Sequence, residues 1–181
     1  MDVLSPAQQE LLEYLRAMTA VIYLNGAASA AREEGWRYPS VHHLLLAEGR
    51  FFQPVSRPAG IRQMPERLCY NNAAATATGS AGSFFYVEGI AISDVFPLAH
   101  AWCANEAAEA VDPTWPEGSM TACFGIAFTR PSSWEHEGEG ILADPRRCME
   151  ILRDGLPPLP GRNVGHRPSS AALAGQPAAS R

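Results

Sequence analysis

The first fifty residues carry apolar side chains at helical spacing. Residues 5–8, Ser-Pro-Ala-Gln, supply the serine, proline and glutamine expected at a capped helix start. After this start the apolar residues lie three or four positions apart, as on one face of an amphipathic helix. They are Leu11, Leu12, Leu15, Met18 and Ile22. Two further helices are predicted over residues 27–34 and 41–48, and the stretch 49–65, which is rich in proline and glycine, is predicted to be a loop.

The pattern changes in the middle of the chain. Residues 69–78 are rich in alanine and predict a helix that ends before the glycines that follow it. Four strands are then predicted, over 84–92, 97–104, 108–112 and 122–128. The first is apolar on both faces, as expected for a central strand, and the second and third form a hairpin with its turn near Asn105 and Glu106. Helices first and strands second indicate an α+β fold, with N-terminal helices packed on an antiparallel sheet.

The end of the chain divides into a helix and a polar tail. Residues 144–154 predict a short helix. Residues 155–181 consist largely of proline, glycine, alanine and serine, and offer little to bury. We therefore expect a single domain over 1–154, with a helical part over 1–50 and a core over 60–130, followed by a flexible tail.

Composition narrows the function. The chain has 181 residues, a net charge of −5, and 46% hydrophobic against 18% charged residues, which is enough apolar material for one core. Its mild acidity argues against nucleic-acid binding. It has no run of about 18 apolar residues and no signal peptide, so we expect a cytoplasmic protein with free cysteines and no membrane partner. All 14 basic residues are arginine, which excludes a catalytic lysine and a Walker loop.

Three residues form an ordered set that could perform thiol chemistry. Cys69 begins a predicted helix, where unpaired N–H groups and the helix dipole favour the thiolate. His100, on a predicted strand, could take the thiol proton, and Asp112, near the end of the next strand, could orient the imidazole. Pairing of those two strands would bring His100 and Asp112 together. The set has the order of a nucleophile, a base and an orienting carboxylate.

These residues resemble the transglutaminase-like division of the papain-like cysteine enzymes. The matching residues are Cys69 followed by Tyr70, His100 within His-Ala-Trp, and Asp112 within Asp-Pro-Thr-Trp. The resemblance covers about residues 63–128 and implies a catalytic Cys69-His100-Asp112 triad, in which the cysteine begins a helix packed on an antiparallel sheet. It implies attack of the thiol on an amide or ester carbonyl, and no cofactor.

The substrate implied by the resemblance is a small-molecule or peptidyl acyl group, which water or an amine would then release. Hydrolysis and amide formation both stay open. The chain departs from the family in two respects. The linkers between its triad residues are short, and Arg67-Leu68 precedes Cys69 where many relatives have a glycine nearby.

Further residues near the triad are candidates for contact with the oxyanion or the substrate. Gln63 lies six residues before Cys69, the spacing of the oxyanion-hole glutamine in papain-like enzymes, and it could equally be a surface glutamine. Trp102 and Trp115 flank the histidine and the aspartate, and could keep water away from the ion pair.

A lone charge interrupts the first predicted strand. Glu88 must be paired if it is buried, and we expect Arg62 or Arg67 to pair with it, or a polar group of the substrate to do so. Asn71 and Asn72, just after the cysteine, are assigned no chemistry.

Other functions compete with acyl transfer. A metal site would have to draw on His42, His43, His100, Cys103 and Asp112. Metal binding is disfavoured because residues 100 and 103 of a straight strand face opposite sides of a sheet. The second hypothesis is an inactive domain that keeps the fold and acts as a binding or adaptor module. The third is an assembly protein whose segment 156–160, Leu-Pro-Pro-Leu-Pro, engages a partner as a polyproline helix.

Overall fold

The elements of the computed structural model follow the predicted order closely. The structure describes residues 3–93, 96–128, 140–158 and 163–175. Within them the helices are α1 (Pro6–Leu24), α2 (Ala27–Glu33), α3 (Val41–Glu48), α4 (Cys69–Gly79), α5 (Pro145–Asp154) and α6 (Ser170–Ala174). The strands are β1 (Arg50–Pro54), β2 (Phe85–Ile92), β3 (Pro97–Ala104), β4 (Glu109–Val111) and β5 (Ala122–Phe128). The fold is therefore α+β, and only β1 and α6 were not predicted.

Helices α1, α3 and α5 begin after residues whose side chains cap them, and such capping residues can be recognised in the sequence. Ser5 Oγ accepts from the Gln8 N–H at 3.2 Å, and Gln8 Oε1 accepts from the Ser5 N–H at 2.9 Å, which completes the capping box of α1. Ser40 caps α3 through the His43 N–H, and Asp144 caps α5 through the Arg146 N–H. None of the described helices has the combination of length and apolarity needed to cross a membrane.

The expected antiparallel sheet is closed into a barrel with the strand order β1-β4-β3-β2-β5, and one of its strand pairs is parallel. Closure depends on β1, which lies in the stretch predicted as loop. This strand runs parallel to β4 on one side and antiparallel to β5 on the other. Its adjacent residues Phe51 and Phe52 are both buried, one on each face of the barrel wall. The sequence pattern did not predict this short strand, because the prolines and glycines around it are typical of a loop.

The interior of the barrel is a packed core rather than a channel. Trp102 is fully buried there, with its ring in edge contact with Phe52 at 5.9 Å between centroids. Gly125 makes room for the indole, since a Cβ at that position would lie only 2.7 Å from Trp102 Cη2. The small residues Ala91, Ala104, Ala110, Cys123 and Ala127 belong to the same core. Small residues around one tryptophan fill so narrow a barrel.

The helices pack on the outer face of the barrel and position the site. Leucines of α1 and α3 and alanines of α4 form one core with the outer side chains of the strands. Helix α4 lies along β3, where Cys103 Sγ donates to the Ala73 carbonyl at 3.3 Å. This packing brings the first residue of α4, Cys69, to the strand that carries His100.

Within the stretch predicted to be a flexible tail, residues 163–175 pack on the body of the domain. His166 and Phe51 exchange two backbone hydrogen bonds of 2.7 Å, so the segment pairs with β1. Arg16 of α1 also donates to the Leu173 carbonyl at 3.2 Å. Backbone pairing of this kind leaves no trace in composition. In the proline-rich segment proposed to bind a partner, Leu159 and Pro160 lie outside the described residues, as do residues 176–181.

Candidate active site

Cys69 is the first residue of α4 and is half-buried. The N-cap residue, Leu68, supplies no side-chain hydrogen bond to the first turn. Arg67 has a φ of 65°, in the left-handed region that favours glycine, and it turns the chain into the helix. The arginine thus adopts a conformation that favours glycine, and the helix start is built without one.

His100 and Asp112 form a buried pair. The distance from His100 Nε2 to Asp112 Oδ2 is 2.8 Å, and their side chains are 2% and 8% exposed. The β3–β4 hairpin places them, because Cys103 pairs with Val111 and Asp112 follows directly. The other carboxylate oxygen, Oδ1, accepts from the Thr114 N–H at 2.7 Å and the Trp115 N–H at 3.2 Å. Both oxygens of Asp112 are therefore held in place.

The environment of His100 favours its protonated form. Burial disfavours the charge, but hydrogen bonds to Asp112 and Cys69, together with their charges, outweigh burial and raise the pKa of the imidazole above its usual value. Because Nε2 is engaged with Asp112, the nitrogen available to the Cys69 thiol is Nδ1. The structure thus brings the three predicted residues together as thiol, imidazole and carboxylate.

The other three cysteines have a different environment. Burial raises the pKa of Cys103 to about 12 and also raises the pKa values of Cys123 and Cys148. Thiols of this kind stay protonated at neutral pH and serve as packing residues. All four cysteines are free, and Cys69 is the one that is not buried.

The two predicted tryptophans both stack on His100, in different settings. Trp115 is half-buried and its ring lies parallel to the imidazole at 3.8 Å between centroids. Trp102 lies 6.5 Å from His100 and is fully buried inside the barrel. The indole of Trp102 therefore packs against the histidine from within the barrel, and its role at a substrate stays a prediction.

Gln63 is attached to the loop that follows Asp112. Its Nε2 donates to the Thr114 carbonyl at 3.4 Å, and its Oε1 accepts from Arg57 at 3.5 Å. The same arginine donates to the carbonyls of Asp112 and Trp115 at 3.1 and 2.8 Å. Gln63 is exposed and close to the site, and its role at an oxyanion stays a prediction.

Glu88 is buried, and its partners are not those predicted. Its carboxyl group accepts from the Tyr86 hydroxyl at 2.7 Å, the Leu142 N–H at 2.8 Å and the Ile141 N–H. The proposed partners Arg62 and Arg67 are exposed. Burial raises the pKa of Glu88, although these hydrogen bonds act in the opposite direction. The residue ties the chain beyond residue 139 to β2, a contact too distant in sequence to be foreseen.

Asn72 is the residue near the site that sequence analysis missed. It is 2% exposed, and its Nδ2 donates to the Pro65 carbonyl at 2.7 Å and to Thr114 Oγ1 at 3.0 Å. It lies three residues after Cys69, on the same side of α4. An asparagine on the buried face of an alanine-rich helix was the available indication.

A cavity of about 310 Å³ borders Asp112, and its lining includes neither Cys69 nor His100. Its lining includes Gln53, Arg57, Glu117 and Thr121. In the described part of the chain, no three His, Cys, Asp or Glu side chains are grouped so that they could hold a metal ion. The rings of His42 and His43 instead contact those of Tyr14 and Tyr23.

The site can transfer a proton between thiol and imidazole and hold the resulting imidazolium beside a fixed carboxylate. No protein-family model matches the chain, and neither a curated protein nor a solved structure matches it.

Proposed function

We propose that the protein is a thiol-dependent acyl-transfer enzyme of the transglutaminase-like, papain-like type, with Cys69 as nucleophile. The observation that carries this proposal is the buried pair of His100 and Asp112, 2.8 Å apart, with Cys69 close enough to the imidazole to raise its pKa. A nucleophile, a base and an orienting group within hydrogen-bonding reach are the geometric requirement for covalent catalysis.

The first half of the reaction acylates the cysteine. His100 Nδ1 takes the thiol proton while the sulfur attacks an amide or ester carbonyl carbon. The negative charge that develops on the carbonyl oxygen is stabilised by the backbone N–H of Cys69 at the start of α4, and Gln63 is the second candidate donor. The imidazolium then returns its proton to the leaving amine or alkoxide, and the acyl group remains on sulfur as a thioester.

The second half restores the thiol. Water or an amine attacks the thioester carbon and His100 takes its proton, which is then delivered to the departing sulfur. Water gives hydrolysis, and an amine gives a new amide. Asp112 keeps the imidazole in one orientation throughout. Trp115, stacked on the ring, shields the ion pair from solvent on that side.

Alkylation by iodoacetamide, located by mass spectrometry, tests this proposal without a known substrate. We expect Cys69 to react well below pH ~8.5, where a free thiol is largely protonated, and to lose this reactivity in His100→Ala. The same cysteine in the urea-unfolded protein is the matched reference, because there it lacks His100.

The rival hypothesis gives a different result. In an inactive fold that serves as a binding or adaptor domain, the pH profile of Cys69 would be the same in the native protein, the unfolded protein and His100→Ala. That outcome would overturn the enzymatic proposal. With the expected outcome, loss of thioester formation from amide and ester substrates in Cys69→Ala completes the test.

A further inference from the structure

The first turn of α4 contains a buried amide that the reaction does not use. Asn72 donates two hydrogen bonds from one nitrogen, to the Pro65 carbonyl at 2.7 Å and to Thr114 Oγ1 at 3.0 Å. A buried amide costs free energy unless its hydrogen bonds are made. An alanine, as at several other positions of α4, would fill the helix face without this requirement.

Thr114 connects this amide to the catalytic pair. Its side chain accepts from Asn72, while its backbone N–H donates to Asp112 Oδ1 at 2.7 Å. The other oxygen of Asp112 meets His100 at 2.8 Å. Three successive hydrogen bonds therefore run from the helix that carries the nucleophile to the histidine that serves as its base. Asn72 and Thr114 are 2% and 1% exposed, so water competes little for these bonds.

We propose that Asn72 is a positioning residue that holds the Asp112 loop in place against the first turn of α4, so that the His100 imidazole stays beside the Cys69 thiol. The nucleophile and its base lie on separate elements, and the Asn72–Thr114 bond joins residues 42 positions apart in the chain. This inference rests on the proposed function, because it assigns Asn72 a role in that reaction.

The inference predicts a change that depends on pH. When the Asn72–Thr114 bond is lost, Asp112 and His100 shift relative to Cys69, and the thiol loses its base. Alkylation should then slow where the reaction needs the imidazole, and stay unchanged where hydroxide alone ionises the thiol. A misplaced catalytic group commonly costs one to two orders of magnitude in rate.

The test uses Asn72→Ala and Thr114→Val, in the intact chain, with Asn71→Ala as matched control. Asn71 is half-buried on the same turn and is not placed in the site. We expect Cys69 alkylation near pH 6.5 to fall about 10-fold or more in the two test variants, and to stay at the wild-type rate near pH 9.5 and in the control. Thr114→Ser keeps the hydroxyl and should restore the rate.

The titration of His100, followed by NMR, gives a readout independent of alkylation. We expect its midpoint to fall in Asn72→Ala and Thr114→Val, because Asp112 is no longer held against the ring. Wild-type profiles for both readouts in folded variants would overturn the inference. A Thr114→Ser variant as slow as Thr114→Val would overturn it too, since the hydroxyl would then be irrelevant.

The proposed function and this inference fail in different ways. If wild-type Cys69 has the reactivity of an unfolded thiol, the enzymatic proposal fails, while the His100 midpoint still tests the positioning by Asn72. Thermal unfolding of each variant establishes that it is folded. Thr114→Val removes one hydroxyl outside the helix, so it tests the bond even if Asn72→Ala does not fold.

Discussion

The charge on a single imidazole determines what the site can do. Burial alone would keep His100 neutral, since an isolated charge in the interior is costly. Asp112 reverses this preference, because its fixed carboxylate accepts from Nε2 and leaves Nδ1 toward Cys69. The same hydrogen bond that makes His100 a base for the thiol also stabilises the imidazolium once the proton has moved. Reactivity and stability are thus coupled through one group.

This coupling predicts a pH-dependent stability. The folded pKa of His100 is raised, so its contribution is fully present below the unfolded value of ~6.5 and is lost as the pH rises through the folded value. We expect the stability advantage of the wild type over His100→Gln to shrink above pH ~6.5, by about 1.4 kcal/mol for each unit of pKa shift. Urea unfolding between pH 5.5 and pH 9 measures it.

His42 serves as a control, because its pKa is shifted in the opposite direction to that of His100. Burial lowers the pKa of His42, with the charge of His43 acting in the same direction. Its contribution is therefore present above pH ~6.5 and lost as the pH falls. The advantage of the wild type over His42→Gln should shrink on acidification. Parallel pH dependence for the two variants would contradict a raised pKa of His100.

At the level of elements, the sequence pattern predicted most of the helices and the hairpin, which depend on interactions between residues close together in the chain. The capping residues of α1 are set within a few positions, and the hairpin that joins His100 to Asp112 closes over a short turn. Contacts across the chain were not predictable in this way. Closure of the barrel by β1 and the pairing of Glu88 with the Ile141 N–H, 53 residues away, depend on how elements meet in space. The spacing of residues along the sequence does not indicate such long-range contacts.

The turn into α4 carries backbone strain that can be tested. Arg67 has a φ of 65°, a conformation that costs a non-glycine residue about 1 kcal/mol. We expect Arg67→Gly to relieve this cost, whereas Arg62→Gly, at another exposed arginine of the same segment, only makes the unfolded chain more flexible. In urea unfolding, Arg67→Gly should thus be about 1 kcal/mol more stable than Arg62→Gly. Equal stabilities would show that the turn is not strained.

Across the whole molecule, the site depends on the strand that closes the barrel. Strand β4 has only three residues, and β1 pairs along its free side, with backbone bonds of 2.9 Å from Gln53 to Ala108 and from Val55 to Ala110. The chain after β1 then supplies Arg57, which holds the carbonyls of Asp112 and Trp115. A short hairpin end thereby becomes a rigid support for the carboxylate.

The C-terminal segment extends this support to the end of the described chain. His166 pairs with Phe51 of β1 through two backbone hydrogen bonds, and Arg167 donates to the Gly49 carbonyl at 3.4 Å. The segment therefore covers β1. Its removal should weaken the fold while leaving the chemistry of the remaining folded molecules unchanged.

Truncation tests whether the C-terminal segment contributes to stability and not to the chemistry of the site. We expect a chain that ends after Pro158 to lose about 2 kcal/mol of stability in urea unfolding, the net contribution of the two backbone bonds and the arginine contacts. A chain that ends after Gly175 keeps these contacts and should match the full-length protein. Below its unfolding transition, the shorter chain should alkylate Cys69 at the wild-type rate. Equal stability of both truncations would show that the pairing with β1 contributes nothing, and slower alkylation would show that β1 transmits the loss to Asp112.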